Sequence, residues 1–80
     1  MFDKFLIKKR LRKIREEKHL TRPQVFEATG IPTMTLTDWE IEKENMPRLD
    51  KAGLLAEFYD VSLDYIIGRT DDPTNPKINK

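Results

Sequence analysis

The chain has 80 residues, no cysteine and a formal net charge of +1 at pH 7, so it is expected to form one small domain whose modest core is stabilised by packed helices or by association. It has no apolar run near the roughly 20 residues that cross a membrane, and residues 1–10 lack the apolar stretch and cleavage site of a signal peptide. These features exclude a disulfide scaffold and a membrane span, and we expect a soluble, cytoplasmic protein.

The first predicted helix covers residues 3–18 and carries much of the positive charge. Ile7, Leu11 and Ile14 recur at helical spacing and form a narrow apolar face. Residues 1–22 contain nine basic and three acidic side chains, whereas the rest of the chain contains six basic and eleven acidic ones. The N-terminal part of the chain is therefore expected to attract phosphate. A basic helix face that is simply solvated explains the same charges equally well.

The second and third predicted helices are separated by a short break centred on a glycine. Thr21 is a good N-cap, and Gln24 three residues later completes a capping box. Gly30 ends the second helix because glycine adopts left-handed backbone geometry without a steric penalty, and Pro32 keeps the preceding residue extended before a third helix begins near Thr33. Two short helices joined this tightly are typical of a helix-turn-helix, a motif that binds DNA.

The positions of the apolar side chains predict which face of each of these two helices is buried. We expect Val25, Phe26 and Ala28 to pack inward from the second helix. In the third helix Leu36 and Trp39 form the apolar face, and Trp39 is better explained as a core residue than as a stacking surface. The side chains left outward on the third helix are candidate DNA contacts: Thr33, Met34, Thr37 and Asp38.

A fourth helix is predicted after a charged connection. Pro47 and Asp50 mark its start. Gly53 lies inside it and is expected to cost about 1 kcal/mol relative to alanine unless a close contact requires it. Its apolar residues are Leu49, Leu54, Leu55 and Phe58.

A short fifth helix and a polar tail complete the chain. Ser62 is the predicted N-cap of a helix over residues 63–67, which Gly68 terminates. Residues 69–80 contain almost no apolar side chains. We expect this segment to be a mobile tail or the start of a linker.

An ordered series of residues resembles a known family. The series is Leu20-Thr21, Val25, Gly30-Ile31, Leu36, Trp39-Glu40, Pro47, Leu49, Leu55-Ala56 and Val61-Ser62-Leu63-Asp64-Tyr65. It resembles the Cro/repressor-type (XRE-like) helix-turn-helix domain of phage repressors and bacterial regulators over residues 11–68. The resemblance implies an all-α, compact, five-helix, lambda-repressor-like DNA-binding domain over residues 1–68. The chain departs from the family in having Arg22 where glutamine is usual and a longer connection after Trp39.

The resemblance also implies how the domain contacts DNA. The third helix enters the major groove, and the side chains nearest the bases are Pro32, Thr33, Met34, Thr37 and Asp38. Phosphate contacts are expected from Thr21, Arg22, Lys43, Arg48 and Lys51. Arg15 is expected to pair with Glu40 and to brace the third helix against the first. The residues expected at a homodimer seam, unless they are ordinary core, are Leu63, Tyr65, Ile66 and Ile67.

These residues predict a sequence-specific transcriptional regulator, a repressor of phage or mobile-element type that binds a palindromic operator in double-stranded DNA as a homodimer. The acidic residues at the end of the third helix leave an alternative open. Asp38 can repel phosphate, accept a hydrogen bond from cytosine, or form an N-terminal or loop contact that orients a neighbour. The alternative function is a protein-binding module, antitoxin-like or an antirepressor partner, with weak or no DNA binding.

The sequence offers no basis for catalysis or for a bound cofactor. No nucleophile, base and orienting group can be assembled. His19 is a lone histidine in a chain without cysteine, so a metal site is not expected. We therefore expect neither enzymatic activity nor a metal or other cofactor.

Overall fold

A computed structural model describes residues 3–41 and 44–74. The described residues form helices and connections without a strand. The helices are α1 (Lys4–Glu17), α2 (Arg22–Thr29), α3 (Thr33–Glu40), α4 (Leu49–Tyr59) and α5 (Leu63–Ile66). The predicted all-α, five-helix fold is thus confirmed. None of the helices in the described part is long and apolar enough to cross a membrane.

Local hydrogen bonds explain where the helices of the motif begin and end. The backbone N–H of Gln24 donates to the Thr21 hydroxyl at 3.3 Å, and the Thr21 N–H donates back to the Gln24 side-chain oxygen at 2.8 Å. The predicted capping box is therefore present. Gly30 ends α2 in the left-handed conformation, with φ of 79°, and Pro32 is the N-cap of α3.

The core lies where the inner faces of all these helices meet. From α1 it receives Ile7, Leu11 and Ile14, as the helical spacing predicts. From α4 it receives a stripe at helical spacing, whose members are Ala52, Leu55, Ala56 and Tyr59. The largest fully buried side chains are Tyr59, Leu11, Leu36, Leu55, Ile66 and Val25.

Two residues expected to pack inward from α2 are instead exposed, and two apolar residues of α4 are exposed as well. Val25 is buried, but Phe26 is 46% exposed and Ala28 is also exposed, because a helix as short as α2 turns only one narrow stripe inward. In α4, Leu54 lies off the buried stripe and is 37% exposed, and Leu49 at the first residue of the helix is 73% exposed. Apolar identity alone did not identify which side of these helices is covered.

The first part of the C-terminal segment makes polar contacts with the helices. The scarcity of apolar side chains from residue 69 onward predicts a mobile tail or the start of a linker. Within this segment, the guanidinium of Arg10 donates to the carbonyl oxygen of Thr70 at 2.8 Å and pairs with the carboxylate of Asp71 at 2.6 Å. The N–H of Ser62 donates to the carbonyl oxygen of Pro73 at 2.9 Å. Residues 75–80 lie outside the described part of the chain.

Candidate nucleic-acid interface

The first turn of α3 is presented to solvent. Pro32 is exposed, Thr33 is partly exposed and Met34 has 78% of its surface exposed. On the opposite face of the same helix, Leu36 and Trp39 are 1% and 7% exposed. The helix is therefore anchored through its rear face while its N-terminal end is free to meet a partner.

Thr37 and Asp38, one turn further along α3, are half-buried and engaged within the protein. The Thr37 hydroxyl donates to the carbonyl oxygen of Thr33 at 3.0 Å. The Asp38 carboxylate accepts from the side-chain amide of Asn45 at 3.2 Å. Of the roles considered for Asp38, the structure displays the contact with the loop that follows α3.

Arg15 of α1 and Glu40 at the end of α3 form a buried ion pair. Arg15 Nε lies 3.0 and 2.9 Å from the two carboxylate oxygens of Glu40, and Arg15 Nη2 lies 2.9 Å from one of them. Hydrogen bonding to Glu40 raises the pKa of Arg15, so the arginine stays charged. Arg15 Nη1 also donates to the carbonyl oxygen of Leu20 at 2.8 Å, which ties the connection before α2 to the same pair.

Arg22 in the first turn of α2 also reaches this pair. Its Nε lies 3.1 Å from a carboxylate oxygen of Glu40. Its side chain keeps 26% of its surface exposed, at the end of α2 where the first backbone amides lack partners within the helix. Glu40 therefore orients Arg22 in addition to pairing with Arg15.

The hydroxyl of Tyr59 lies behind this charged cluster. It is buried, and it has no hydrogen-bond partner among the described residues. Burial raises the pKa of Tyr59 to about 12; the negative charge of Glu40 acts in the same direction, and Arg15 and Arg22 oppose it. The tyrosine therefore remains neutral at physiological pH.

The remaining predicted phosphate contacts lie near the starts of helices. Thr21 is exposed at the start of α2, with its hydroxyl in the capping box. Arg48 is the N-cap of α4, and 86% of its side chain is exposed. Its Nε lies 3.7 Å from Oδ1 of Asp50. Lys51 is exposed in the first turn of α4. Lys43 lies outside the described residues.

Similarity to known proteins identifies this arrangement. The sequence pattern of the helix-turn-helix family matches residues 11–66, which include the capped α2, the glycine break and α3. The chain belongs to the helix-turn-helix family. The resemblance seen in the sequence is therefore confirmed.

A relative of this helix-turn-helix domain is known from Bacillus subtilis (strain 168). It is named "Uncharacterized HTH-type transcriptional regulator YobD", and it is 45% identical over 71 residues. The match covers 89% of this chain and 62% of the relative, so the chain spans less than two thirds of that protein. No solved structure matches the chain significantly.

Two of the residues expected at a dimer seam of the helix-turn-helix domain lie in its core. Ile66 has no exposed surface and Tyr65 is 8% exposed. For these two residues, ordinary core is the alternative that the sequence leaves open. Leu63 and Ile67 are only partly buried, although they also pack against the core.

Lys8 is a buried charged residue in a helix whose sequence indicates only a basic surface. It is 2% exposed, although it lies in the basic helix α1. Lys8, Leu11 and Arg15 follow one another at spacings of three and four residues and therefore share one helical face. This spacing was the available signal, because Leu11 and Arg15 were both assigned inward roles. Within the part of the chain that the structure describes, no cluster of acidic, histidine or cysteine residues could hold a metal ion.

Proposed function

We propose that this helix-turn-helix domain is the DNA-binding part of a transcriptional regulator, and that α3 reads operator DNA in the major groove. The observation that carries the proposal is the exposed first turn of α3 on a helix whose rear face is buried. In DNA-binding helix-turn-helix domains, side chains near the N-terminal end of the second helix of the motif contact the base edges. This function is binding and not catalysis.

The residues at this end of α3 suit a particular kind of base contact. The Thr33 hydroxyl can donate or accept a hydrogen bond, and its methyl group can contact a thymine methyl. Met34 supplies apolar contact only. Pro32 lies at the mouth of the helix. We therefore propose that Thr33 supplies the polar discrimination and Met34 favours thymine.

Phosphate contacts are proposed on both sides of this helix. Arg22 and Thr21 lie at the start of α2, where exposed backbone amides also favour an anion. Arg48 and Lys51 lie at the start of α4. These residues would set the orientation of the domain on the duplex, while the first turn of α3 would read the sequence.

The paired state of the acidic residues near the end of α3 favours DNA over the protein-binding alternative. Glu40 is held by Arg15 and Arg22. Asp38 accepts a hydrogen bond from Asn45, and Glu44 pairs with Lys4 at 2.6 Å. Hydrogen bonds and neighbouring cations therefore offset much of the negative charge that opposes phosphate. Glu42 lies outside the described residues.

We further propose that the regulator is a repressor of phage or mobile-element type that binds a palindromic operator as a homodimer. Two copies would place their α3 helices about 34 Å apart, one turn of the DNA helix. Leu63 and Ile67 remain candidates for the seam, because their side chains are not fully enclosed. Light scattering after gel filtration tests this part, and a monomer at high protein concentration would exclude it.

Selection of bound sites from random double-stranded DNA tests the central proposal. We expect enrichment of a defined motif, and an affinity for that motif that falls steeply as salt rises, because phosphate contacts displace bound cations. A protein-binding module would enrich no motif. A defined motif with two inverted half-sites would support the dimer as well as DNA recognition.

A further inference from the structure

A buried lysine of α1 holds the end of the recognition helix α3. The Nζ of Lys8 donates to the carbonyl oxygen of Asp38 at 2.8 Å and to that of Asn45 at 2.5 Å. Asp38 belongs to the last turn of α3, where carbonyl groups lack partners within the helix. No basic residue lies in that turn. Lys8 therefore supplies, from another helix, the positive charge that stabilises a helix C-terminus.

Side chains tie the same loop at two further points. The Asn45 amide donates to the Asp38 carboxylate at 3.2 Å. Lys4 Nζ lies 2.6 Å from the carboxylate of Glu44. Lys4 and Lys8 are four residues apart and therefore lie on one face of α1. We call these five residues, Lys4, Lys8, Asp38, Glu44 and Asn45, the loop clamp.

Within the loop clamp, Lys8 is the enclosed member. The side chains of Lys4 and Glu44 are 42% and 87% exposed, and an ion pair this open contributes little. Lys8 is 2% exposed, and a buried ammonium is tolerated only where its donors are satisfied. Burial lowers the pKa of Lys8. The negative charges of Asp38 and Glu44 raise this pKa, and the positive charge of Lys4 lowers it further. The two carbonyl groups that accept from Lys8 are therefore fixed relative to α1.

The position of Asn45 restrains the start of α4. Asn45 lies three residues before Arg48, and three residues span at most about 10 Å when fully extended. Arg48 is the N-cap of α4 and a proposed phosphate contact. An anchored Asn45 therefore limits how far Arg48 can move from the end of α3.

We propose that Lys8 is a positioning residue for DNA binding, which holds residues 44–48 before α4 so that Arg48 reaches phosphate while α3 lies in the groove. Lys8 does not touch DNA in this arrangement, because its ammonium is enclosed by the protein. The proposal rests on the proposed function of the domain. It differs from general attraction by the basic α1, which any exposed lysine of that helix would provide.

Lys9 is the matched control for this distinction. It is the next residue of α1, it carries the same charge and it is exposed. Lys8→Met and Lys9→Met therefore remove the same charge from adjacent positions, one inside the loop clamp and one on the surface. Each is combined with Arg48→Ala and, separately, with Arg22→Ala.

The test measures affinity for the selected operator at several salt concentrations in the full chain. In the wild-type background, Arg48→Ala should reduce the slope of log affinity against log salt by about one unit, the value for one lost phosphate contact. In the Lys8→Met background the slope should already be reduced, and Arg48→Ala should change it no further. In the Lys9→Met background Arg48→Ala should keep its effect, and Arg22→Ala should keep its effect in every background.

Hydrogen exchange separates positioning from general loss of stability. In Lys8→Met we expect faster amide exchange at Ile41 and Ala52, whose N–H groups donate to the carbonyl oxygens of Thr37 and Arg48 at the end of α3 and the start of α4, and unchanged exchange in α2. If Lys8→Met does not fold at the assay temperature, Lys8→Gln keeps a donor without the charge, and the effect of Arg48→Ala should then be reduced rather than abolished.

Three results would overturn the proposal. If the wild-type chain binds no DNA, the proposed function and this role of Lys8 both fail. If the wild type binds but Arg48→Ala has the same effect with and without Lys8, the function stands and the positioning role fails. The role also fails if Arg48→Ala has no effect in the wild type, because Lys8 then has no contact to position.

Discussion

Arg15 and Glu40 join α1 and α3 through a bidentate ion pair. The pair is almost completely buried, with 10% of the Arg15 side chain and 2% of the Glu40 side chain exposed. Trp39, the neighbour of Glu40, packs in the core on the rear face of α3. The ion pair and the tryptophan together fix both the distance of α3 from α1 and its rotation about its own axis. The exposed first turn of α3 depends on this rotation.

Replacing Arg15 should destabilise the fold strongly. Arg15→Met leaves the buried Glu40 carboxylate with Arg22 as its cationic partner, and removing one member of a buried pair costs about 3–5 kcal/mol. Urea unfolding followed by circular dichroism measures this change. Arg12→Met is the control, because Arg12 pairs with Glu16 on the surface and such a pair contributes about 0.5 kcal/mol. Equal losses in the two variants would contradict the bracing role.

Arg22→Ala should weaken binding to all DNA sequences by a similar factor. A phosphate contact carries no sequence information, so the selected motif should stay the same while the salt slope falls by about one unit. Because Arg22 also contacts Glu40, stability must be measured beside affinity. A changed motif would show that Arg22 acts on base edges instead.

Thr33→Ala should change the sequence preference at one base position. Thr33 is partly exposed in the first turn of α3, where its hydroxyl can read a base edge. Site selection with the variant should relax one column of the motif in each half-site, and the salt slope should not change. Thr35→Ala is the control, because Thr35 lies on the same helix, is also partly exposed and has no proposed base contact. An unchanged motif in Thr33→Ala would remove this residue from the proposed readers.

The helix boundaries were predictable because local chemistry sets them. Thr21, Gln24 and Gly30 fix the limits of α2 through hydrogen bonds and backbone geometry that involve only neighbouring residues. Burial was less predictable, because it depends on where other helices pack. Phe26 and Leu54 are apolar yet partly exposed, because the described residues leave part of their sides of α2 and α4 uncovered.

The polar interior was harder still to predict from the sequence. The resemblance implies the pairing of Glu40 with Arg15, but the contact of Glu40 with Arg22 depends on how α2 lies against α3. Burial of Lys8 is tolerated because its ammonium donates hydrogen bonds to two backbone carbonyl groups of a distant segment. Every residue has a backbone carbonyl group, so the sequence does not indicate which ones accept these hydrogen bonds. The docking of Asp71 on Arg10 likewise joins residues far apart in the chain.

Gly53→Ala should stabilise the domain by about 1 kcal/mol. Gly53 lies inside α4, and a β-carbon built there meets no atom within 4 Å among the described residues. Alanine therefore gains helix propensity without a clash. Thermal unfolding of the two proteins measures the difference. Gly30→Ala is the control and should destabilise, because φ at Gly30 is 79°. A loss of stability in Gly53→Ala would indicate a contact from residues outside the described part.

Tyr59→Phe should remove a pH dependence of stability at alkaline pH. Burial raises the pKa of Tyr59 to about 12 from the ordinary value of 10.0, so the folded state holds the phenolic proton more tightly than the unfolded chain. The stability from this difference is complete below pH 10 and is lost as pH rises towards 12. Urea unfolding between pH 9 and pH 12 should show a steeper loss in the wild type than in Tyr59→Phe.

At neutral pH the same substitution should be neutral or stabilising by about 1 kcal/mol, because the hydroxyl is buried without a partner among the described residues. Removal of a satisfied hydroxyl would have the opposite sign. A clear loss of stability at pH 7 would therefore show that the Tyr59 hydroxyl makes a hydrogen bond.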